Sequence, residues 1–207
     1  MAFLNEETNE LHIKIVYAGS AGCGKTTNLQ SLFKQTSAEV STRIFDLHTL
    51  PTQNQFFDFL PLTYGEAKNH AIRLHLFTLP THDLWPTVNM NLLWGVDGIV
   101  NVIDSRLPHL SETEKSLVRL KDMLHLVNRS FSEIPMVFQY NHRDAPSAVD
   151  VRALRSEYAR HGASGIEAVA VQDRGVIDTL DAIAERILSS MENSGQTWSD
   201  RNAFGLQ

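Results

Sequence analysis

The sequence predicts an α/β domain: a mixed, mostly parallel six-stranded sheet with helices on both faces. Three observations support this. Short apolar, β-branched runs alternate along the chain with stretches of helical periodicity, as in parallel sheets built from strand–helix units. Leu11–Ala18, Val96–Ile103 and Ile134–Tyr140 are almost continuously apolar, as strands covered on both faces are. Phe56–Leu62 and Ala71–Leu79 follow each other without a helix between them, so one hairpin breaks the parallel order. With 207 residues, 43% of them hydrophobic and 20% charged, the chain is sized for one full core.

Taken in order, Leu11–Ala18 (LHIKIVYA) runs into a glycine-rich turn and a helix from about Lys25 to Lys34. From Gln35 to Gln55 the pattern dissolves into polar residues, and a loop of that length in a compact domain is usually functional. The hairpin strands turn around Tyr64–Asn69. A second irregular patch, Pro80–Val88, precedes a short helix through Leu93. After the Val96–Ile103 strand come Asp104 and Ser105. Ser111 and Glu114 have the S-x-x-E capping spacing, which places a helix start there and its end near Asn128. Ile134–Tyr140 ends in Asn141, Val149–His161 is helical, Ile166–Ala170 is the last strand and Val176–Met191 a final amphipathic helix. The domain therefore spans 1–191, and 192–207 reads as a polar tail carrying Trp198, Phe204 and Leu206.

The chemistry begins at Gly19-Ser20-Ala21-Gly22-Cys23-Gly24-Lys25-Thr26, which fits G-x-x-x-x-G-K-[ST] in full and is followed by Thr27. It lies between a predicted buried strand and a helix, the context that makes the pattern a phosphate loop. Backbone N–H groups and the positive end of the helix dipole suit an anion there. Lys25 is expected to reach β- and γ-phosphates, and the Thr26 hydroxyl to take one Mg²⁺ position. Cys23 is expected to be a bland loop residue rather than a reactive thiol. Asn141-His142-Arg143-Asp144, directly after a strand, resembles the N-K-x-D element of GTPases with His142 in place of Lys, and is expected to select the base: a carboxylate at Asp144 can accept from the ring N–H and the exocyclic amine of guanine, a donor pair adenine lacks. Asn141 is expected to hold the loops together, His142 to lie on the base, and Arg143 to be a solvated neighbour. Ala170-Val171, after the last predicted strand, lies where GTPases supply a backbone N–H to the guanine oxygen, and likeness to them implies that role here. The expected ligands are GTP or GDP with Mg²⁺.

A net charge of −6 disfavours a nucleic-acid backbone as partner. One cysteine suits a reducing compartment. No basic-then-apolar leader, no run near about 18 apolar residues and no lipidation signal is visible, so a cytoplasmic protein without its own membrane anchor is expected. The nine histidines are scattered without paired ligand spacing, and Trp85 and Trp94 read as core or lid packing.

KIVYAGSAGCGKTTNLQ, FFDFLPL, WGVDGIV, QYNHRD and DTLDAIAERIL together resemble the MglA family of bacterial and archaeal Ras-like GTPases, from about Phe3 to Met191. The resemblance implies a small GTPase-like P-loop domain with an extra N-terminal strand, for which Phe3–Asn5 is the candidate. It also implies a polarity or gliding-motility switch that meets a Roadblock/LC7-domain partner of the MglB kind and recruits polar effector proteins at a cell pole. The family's arginine finger and the Thr after it fall at Gln53 and Asn54, and its P-G-Q element reads Pro80-Thr81-His82. Thr78 stands where most GTPases, though not this family, carry Asp. An arginine finger is worth about 10³–10⁵ in rate. The candidate catalytic residues that remain are His82 and Gln53. Three functions are therefore weighed: a guanine-nucleotide-binding switch or scaffold with impaired hydrolysis, an active GTPase stimulated by a Roadblock/LC7 partner, and an ATP-dependent P-loop enzyme, which Asn141–Asp144 disfavours.

Overall fold

A central strand, β2 (Glu10–Ala18), organises the sheet, and its two halves have different surroundings. Its first half alternates buried and half-buried residues, while Val16, Tyr17 and Ala18 are buried on both faces. The computed structural model describes residues 2–36, 45–46, 57–81, 86–159, 162 and 164–193. β1 (Phe3–Asn5) runs antiparallel beside the start of β2. After helix α1 (Lys25–Thr36) come β3 (Phe45–Asp46), β4 (Asp58–Ala67) and β5 (His70–Thr78). Then follow α2 (Pro86–Leu93), β6 (Gly98–Asp104), α3 (Leu110–Leu126) and β7 (Met136–Asn141). The described chain closes with α4 (Val151–Ala159), β8 (Ser164–Glu167) and α5 (Val176–Asn193).

The strands form one eight-stranded sheet in the order β3-β4-β5-β2-β6-β7-β8, with β1 beside β2. β5, β2, β6, β7 and β8 are mutually parallel, and β4 and β3 add antiparallel edges. The six expected strands and the N-terminal one are therefore present. β3, two residues within the 35–55 segment, was not expected. The hairpin is also longer than expected. β4 runs on past a bulge at Thr63/Gly65, and the chain reverses at Lys68 and Asn69 alone. Both have φ near the left-handed region (49° and 65°), the two-residue turn whose twist matches that of paired strands.

Ser111 does not cap α3. The helix starts at Leu110, directly from a 3₁₀ turn over Leu107–His109, and the Leu110 N–H donates to the Leu107 carbonyl. A helix continued from a preceding turn has carbonyl partners for its first N–H groups, so a side-chain cap is not needed. α2 begins at Pro86, inside the patch expected to be irregular to Val88; proline needs no N–H partner in a first turn.

One sheet face packs Ile13, Ile15 and Leu74 against Leu29 and Leu32 of α1 and Leu180, Ile183 and Ile187 of α5. The other packs Val16, Ile99 and Phe138 against Leu93 of α2, Leu117 and Leu120 of α3 and Tyr158 of α4. Near β1 and β4 this second face is lined by rings instead. His12 stacks on Phe3 at 4.7 Å and His75 stacks between His12 and Phe59. The sequence scatters its histidines, but parallel pairing of β2 with β5 brings His12 Nδ1 to 2.8 Å from His75 Nε2. Burial holds both imidazoles below their ordinary pKa, with the Glu10 carboxylate opposing the shift and the Arg73 guanidinium reinforcing it.

An unfolded chain therefore binds more protons at these sites than the folded one once pH falls below the ordinary histidine value, so stability rises with pH there. The melting temperature is expected to fall between about pH 7 and pH 5, and to fall less steeply in a His75→Phe variant. Thermal unfolding followed by circular dichroism across that range tests this.

Candidate nucleotide site

Every functional motif lies at the carboxyl edge of the parallel strands, where open α/β sheets place their ligands. The phosphate loop joins β2 to α1. Its conformation favours glycine at three points, Gly19 (φ +141°), Gly22 (φ +70°) and Gly24 (φ +105°), and at the first and last a side chain also has no room. A Cβ on Gly19 would sit 2.3 Å from the Val102 carbonyl oxygen, and one on Gly24 2.2 Å from Asn141 Nδ2. Lys25 Nζ lies back across the loop, donating to the Gly19 and Ser20 carbonyls at 2.9 and 3.0 Å. Cys23 is wholly buried and burial pushes its thiol pKa up, so it is an inert packing residue.

The Asn141–Asp144 loop closes against the phosphate loop. Asn141 Nδ2 donates to the Cys23 carbonyl at 2.8 Å, and Asn141 Oδ1 accepts the Ala170 N–H at 3.0 Å. One amide thus joins the turns after β2, β7 and β8. His142 takes a left-handed conformation (φ 60°) and brings Nε2 to 3.1 Å from the Gly22 carbonyl, while Asp144 is exposed beside it. The Ala170 N–H, expected to face a base, is committed to Asn141; Val171, 74% exposed, is the outward residue of that turn.

Over 195 residues, 94% of this chain and the full length of its counterpart, the sequence is 38% identical to the "Mutual gliding-motility protein MglA" of Myxococcus xanthus (strain DK1622). The chain belongs to the MglA family of small GTPases. No protein-family model matches the chain.

Within this MglA-family fold, several residues that the motifs did not single out build the site. Asp58, in the middle of FFDFLPL, is buried opposite Thr78. Thr26 Oγ1 and Thr78 Oγ1 both donate to Asp58 Oδ2, at 2.6 and 3.0 Å, and the Asp58 N–H donates to Thr78 Oγ1 at 2.7 Å. A carboxylate therefore stands beside the Thr26 hydroxyl although residue 78 is not acidic. An acid inside an apolar strand was the available signal. Below the loop, Asn28 and Gln139 exchange two amide hydrogen bonds of 2.8 Å. Asn28 Nδ2 also reaches the Gly24 carbonyl at 2.9 Å, and Gln139 Nε2 reaches Thr179 Oγ1 at 3.0 Å.

At the end of β6, Arg106 grips the fully buried Asp104 side chain with Nε at 2.9 Å and Nη2 at 2.6 Å. Burial opposes ionisation of Asp104, but the Arg106 hydrogen bonds outweigh it and hold the carboxyl below its ordinary pKa. The next residue ties this pair to the base loop, since the Ser105 N–H donates to the Asn141 carbonyl at 3.1 Å.

Two expectations are corrected. Arg143 is not a solvated neighbour: its side chain is only 15% exposed, donates to the Val149 carbonyl at 2.6 Å and pairs with Glu167 at 3.2 Å, bracing the loop from behind. Trp94 is not core packing but 71% exposed, because Leu92 and Leu93 take the inward positions at the end of α2. Gln53, Asn54, His82, Trp85 and the segment beyond Asn193 lie outside the described residues. Among the described residues no cluster of three His, Cys, Asp or Glu is placed to hold a metal ion, and no helix is long and apolar enough to cross a membrane.

Replacing Asn141 by Ala strands the Cys23 carbonyl and the Ala170 N–H, each a buried group worth about 1–3 kcal/mol when left unpaired. Asn141→Ala is expected to lower unfolding free energy by that order, read from urea denaturation, and to weaken nucleotide binding with it.

Proposed function

We propose that this chain is a guanine-nucleotide-binding switch or scaffold of the polarity and gliding-motility type whose own GTP hydrolysis is slow. The observation that supports the proposal is the Asn141 joint, which ties the Gly19–Thr27 turn to the turns after β7 and β8, with Asp144 exposed nearby in the sequence. Nucleotide and Mg²⁺ fit the residues present. The backbone of Gly19–Thr27 and the Lys25 ammonium suit phosphates, Asp144 with His142 and Val171 suits guanine, and the Thr26 hydroxyl beside Asp58 suits a hard divalent cation that prefers oxygen. When bound, GTP with Mg²⁺ supplies the phosphoryl group and the charge that polarises it.

The chain's own residues account for slow chemistry. Lys25 remains as a cationic stabiliser, while Gln53 and His82 occupy the positions where the family resemblance implies Arg and Gln. Thr81 adds a Cβ where the family carries glycine, which restricts the backbone beside the phosphate loop. The proposed setting is cytoplasmic, with a Roadblock/LC7-domain partner of the MglB kind and polar effectors bringing the protein to a cell pole. An active GTPase completed by that partner is the second reading.

Single-turnover hydrolysis by the purified chain is expected at or below about 10⁻⁴ s⁻¹, with GTP or GDP recovered after denaturation. Faster turnover from the chain alone overturns the slow-hydrolysis reading, and acceleration only on adding the partner favours the second. Asp58→Asn is expected to speed GDP release at limiting Mg²⁺ while leaving release without Mg²⁺ nearly unchanged, measured with a fluorescent GDP analogue.

A further inference from the structure

The base loop meets the phosphate loop twice, through consecutive residues on each side. Asn141 Nδ2 donates to the Cys23 carbonyl, and His142 Nε2 lies 3.1 Å from the carbonyl of the preceding residue, Gly22. The two contacts differ in kind. Asn141 is buried, carries no charge at any pH and is engaged through both its amide N–H and its oxygen. His142 is half-buried, and its contact with Gly22 is open to solvent.

A carbonyl oxygen only accepts, so the His142 bond exists only while Nε2 carries a hydrogen. The imidazolium always meets that condition, and only one of the two neutral tautomers does. Histidine is the side chain whose ordinary ionisation falls between about pH 5 and 8. The N-K-x-D pattern would put here a lysine, which stays cationic throughout that range.

The charges around the ring decide the direction of the effect. From the end of β6, the Asp104 carboxylate is near enough to interact with the His142 charge. Asp104 is itself held by Arg106, with His109 Nδ1 3.9 Å away. The phosphate loop presents the Gly22 carbonyl, and its Lys25 ammonium is turned onto the Gly19 and Ser20 carbonyls. In the base loop Arg143 is occupied by Glu167 and the Val149 carbonyl, and Asp144 is exposed. Both signs are thus present before any ligand arrives. The phosphates of a bound nucleotide add negative charge on the Gly22 side and favour the imidazolium.

We propose that His142 is a proton-dependent clasp between the base loop and the phosphate loop, holding a bound guanine nucleotide longer when its ring is protonated. The inference rests on the nucleotide reading above. By linkage, whatever a proton does for nucleotide affinity the nucleotide does for proton affinity, so binding draws a proton onto His142.

The test is release of a fluorescent GDP analogue from the full chain at about pH 6 and about pH 8, at fixed excess Mg²⁺, beside His142→Lys and His142→Gln. A charge-assisted hydrogen bond is roughly twice as strong as a neutral one. The ratio of release rate at the higher pH to that at the lower is therefore expected to be about threefold to tenfold larger in the natural chain than in His142→Lys. His142→Gln, a donor that does not titrate, is expected to give the same ratio as His142→Lys, and decides alone if the lysine variant fails to fold. Two other effects of acid run the opposite way and cannot imitate this one. Loss of stability through the His12–His75 pair speeds release, and protonation of a terminal phosphate near pH 6 weakens its binding. His109→Gln is expected to keep the natural ratio. A ratio equal in the natural chain and the His142 variants, or one that disappears with His109 instead, overturns the proposal. Calorimetric GDP binding at about pH 7, in buffers of different ionisation enthalpy, is expected to show more proton uptake by the natural chain than by His142→Lys. Equal uptake overturns the proposal too, while leaving nucleotide binding intact. Failure to bind GDP at either pH refutes the nucleotide reading itself, and this inference with it.

Discussion

One side-chain amide holds the functional edge together. Asn141 sits where β7 ends, gives its N–H to the loop after β2 and accepts an N–H from the turn after β8. A parallel sheet delivers all its strand ends to one edge, but it does not fix the spacing of the loops that leave there. Asn141 does that, and Gly24 is glycine because the amide lies where a Cβ would go. The Asn28–Gln139–Thr179 network repeats the device one layer down, locking α1, β7 and α5 through fully buried, mutually satisfied polar groups. Such networks specify an arrangement because a partly made one is worse than none.

Charge at this edge is placed by the same means. Asp104 and Asp58 are buried carboxylates in different strands, and each is oriented by residues of its own neighbourhood: Arg106 for the first, Thr26 and Thr78 for the second. The Lys25 ammonium donates to loop carbonyls, which hold it in place and leave its charge intact. An acidic protein thus concentrates anion-friendly groups at one loop, which is why the net charge of −6 does not argue against a phosphate ligand.

The parts legible in the sequence were those set by local pattern. The phosphate loop, the strand runs and the base motif each depend on a few consecutive residues. What escaped depended on pairing across the chain. Asp58 meets Thr26 only because the hairpin register sets it opposite Thr78, and His12 meets His75 only because β2 and β5 are parallel neighbours. The S-x-x-E spacing at Ser111 was outcompeted by a turn that already supplied carbonyls, and Arg143 looked solvated because its partners are the Val149 carbonyl at the far end of its own loop and Glu167 on β8. Trp94 read as core or lid packing, yet it falls in the turn just past α2, where Leu92 and Leu93 take the inward positions and leave it exposed.

The burial of Cys23 has a practical consequence. It is the sole cysteine, sealed beneath the phosphate loop with its thiol pKa raised by burial, so the folded protein is in effect thiol-free to an electrophile in solution. A single engineered surface cysteine can then carry a dye or spin label without removing the native one. Slow alkylation of Cys23 itself becomes a clock for how often the loop lifts off its strand, a motion that the hydrogen bonds of Asn141 oppose.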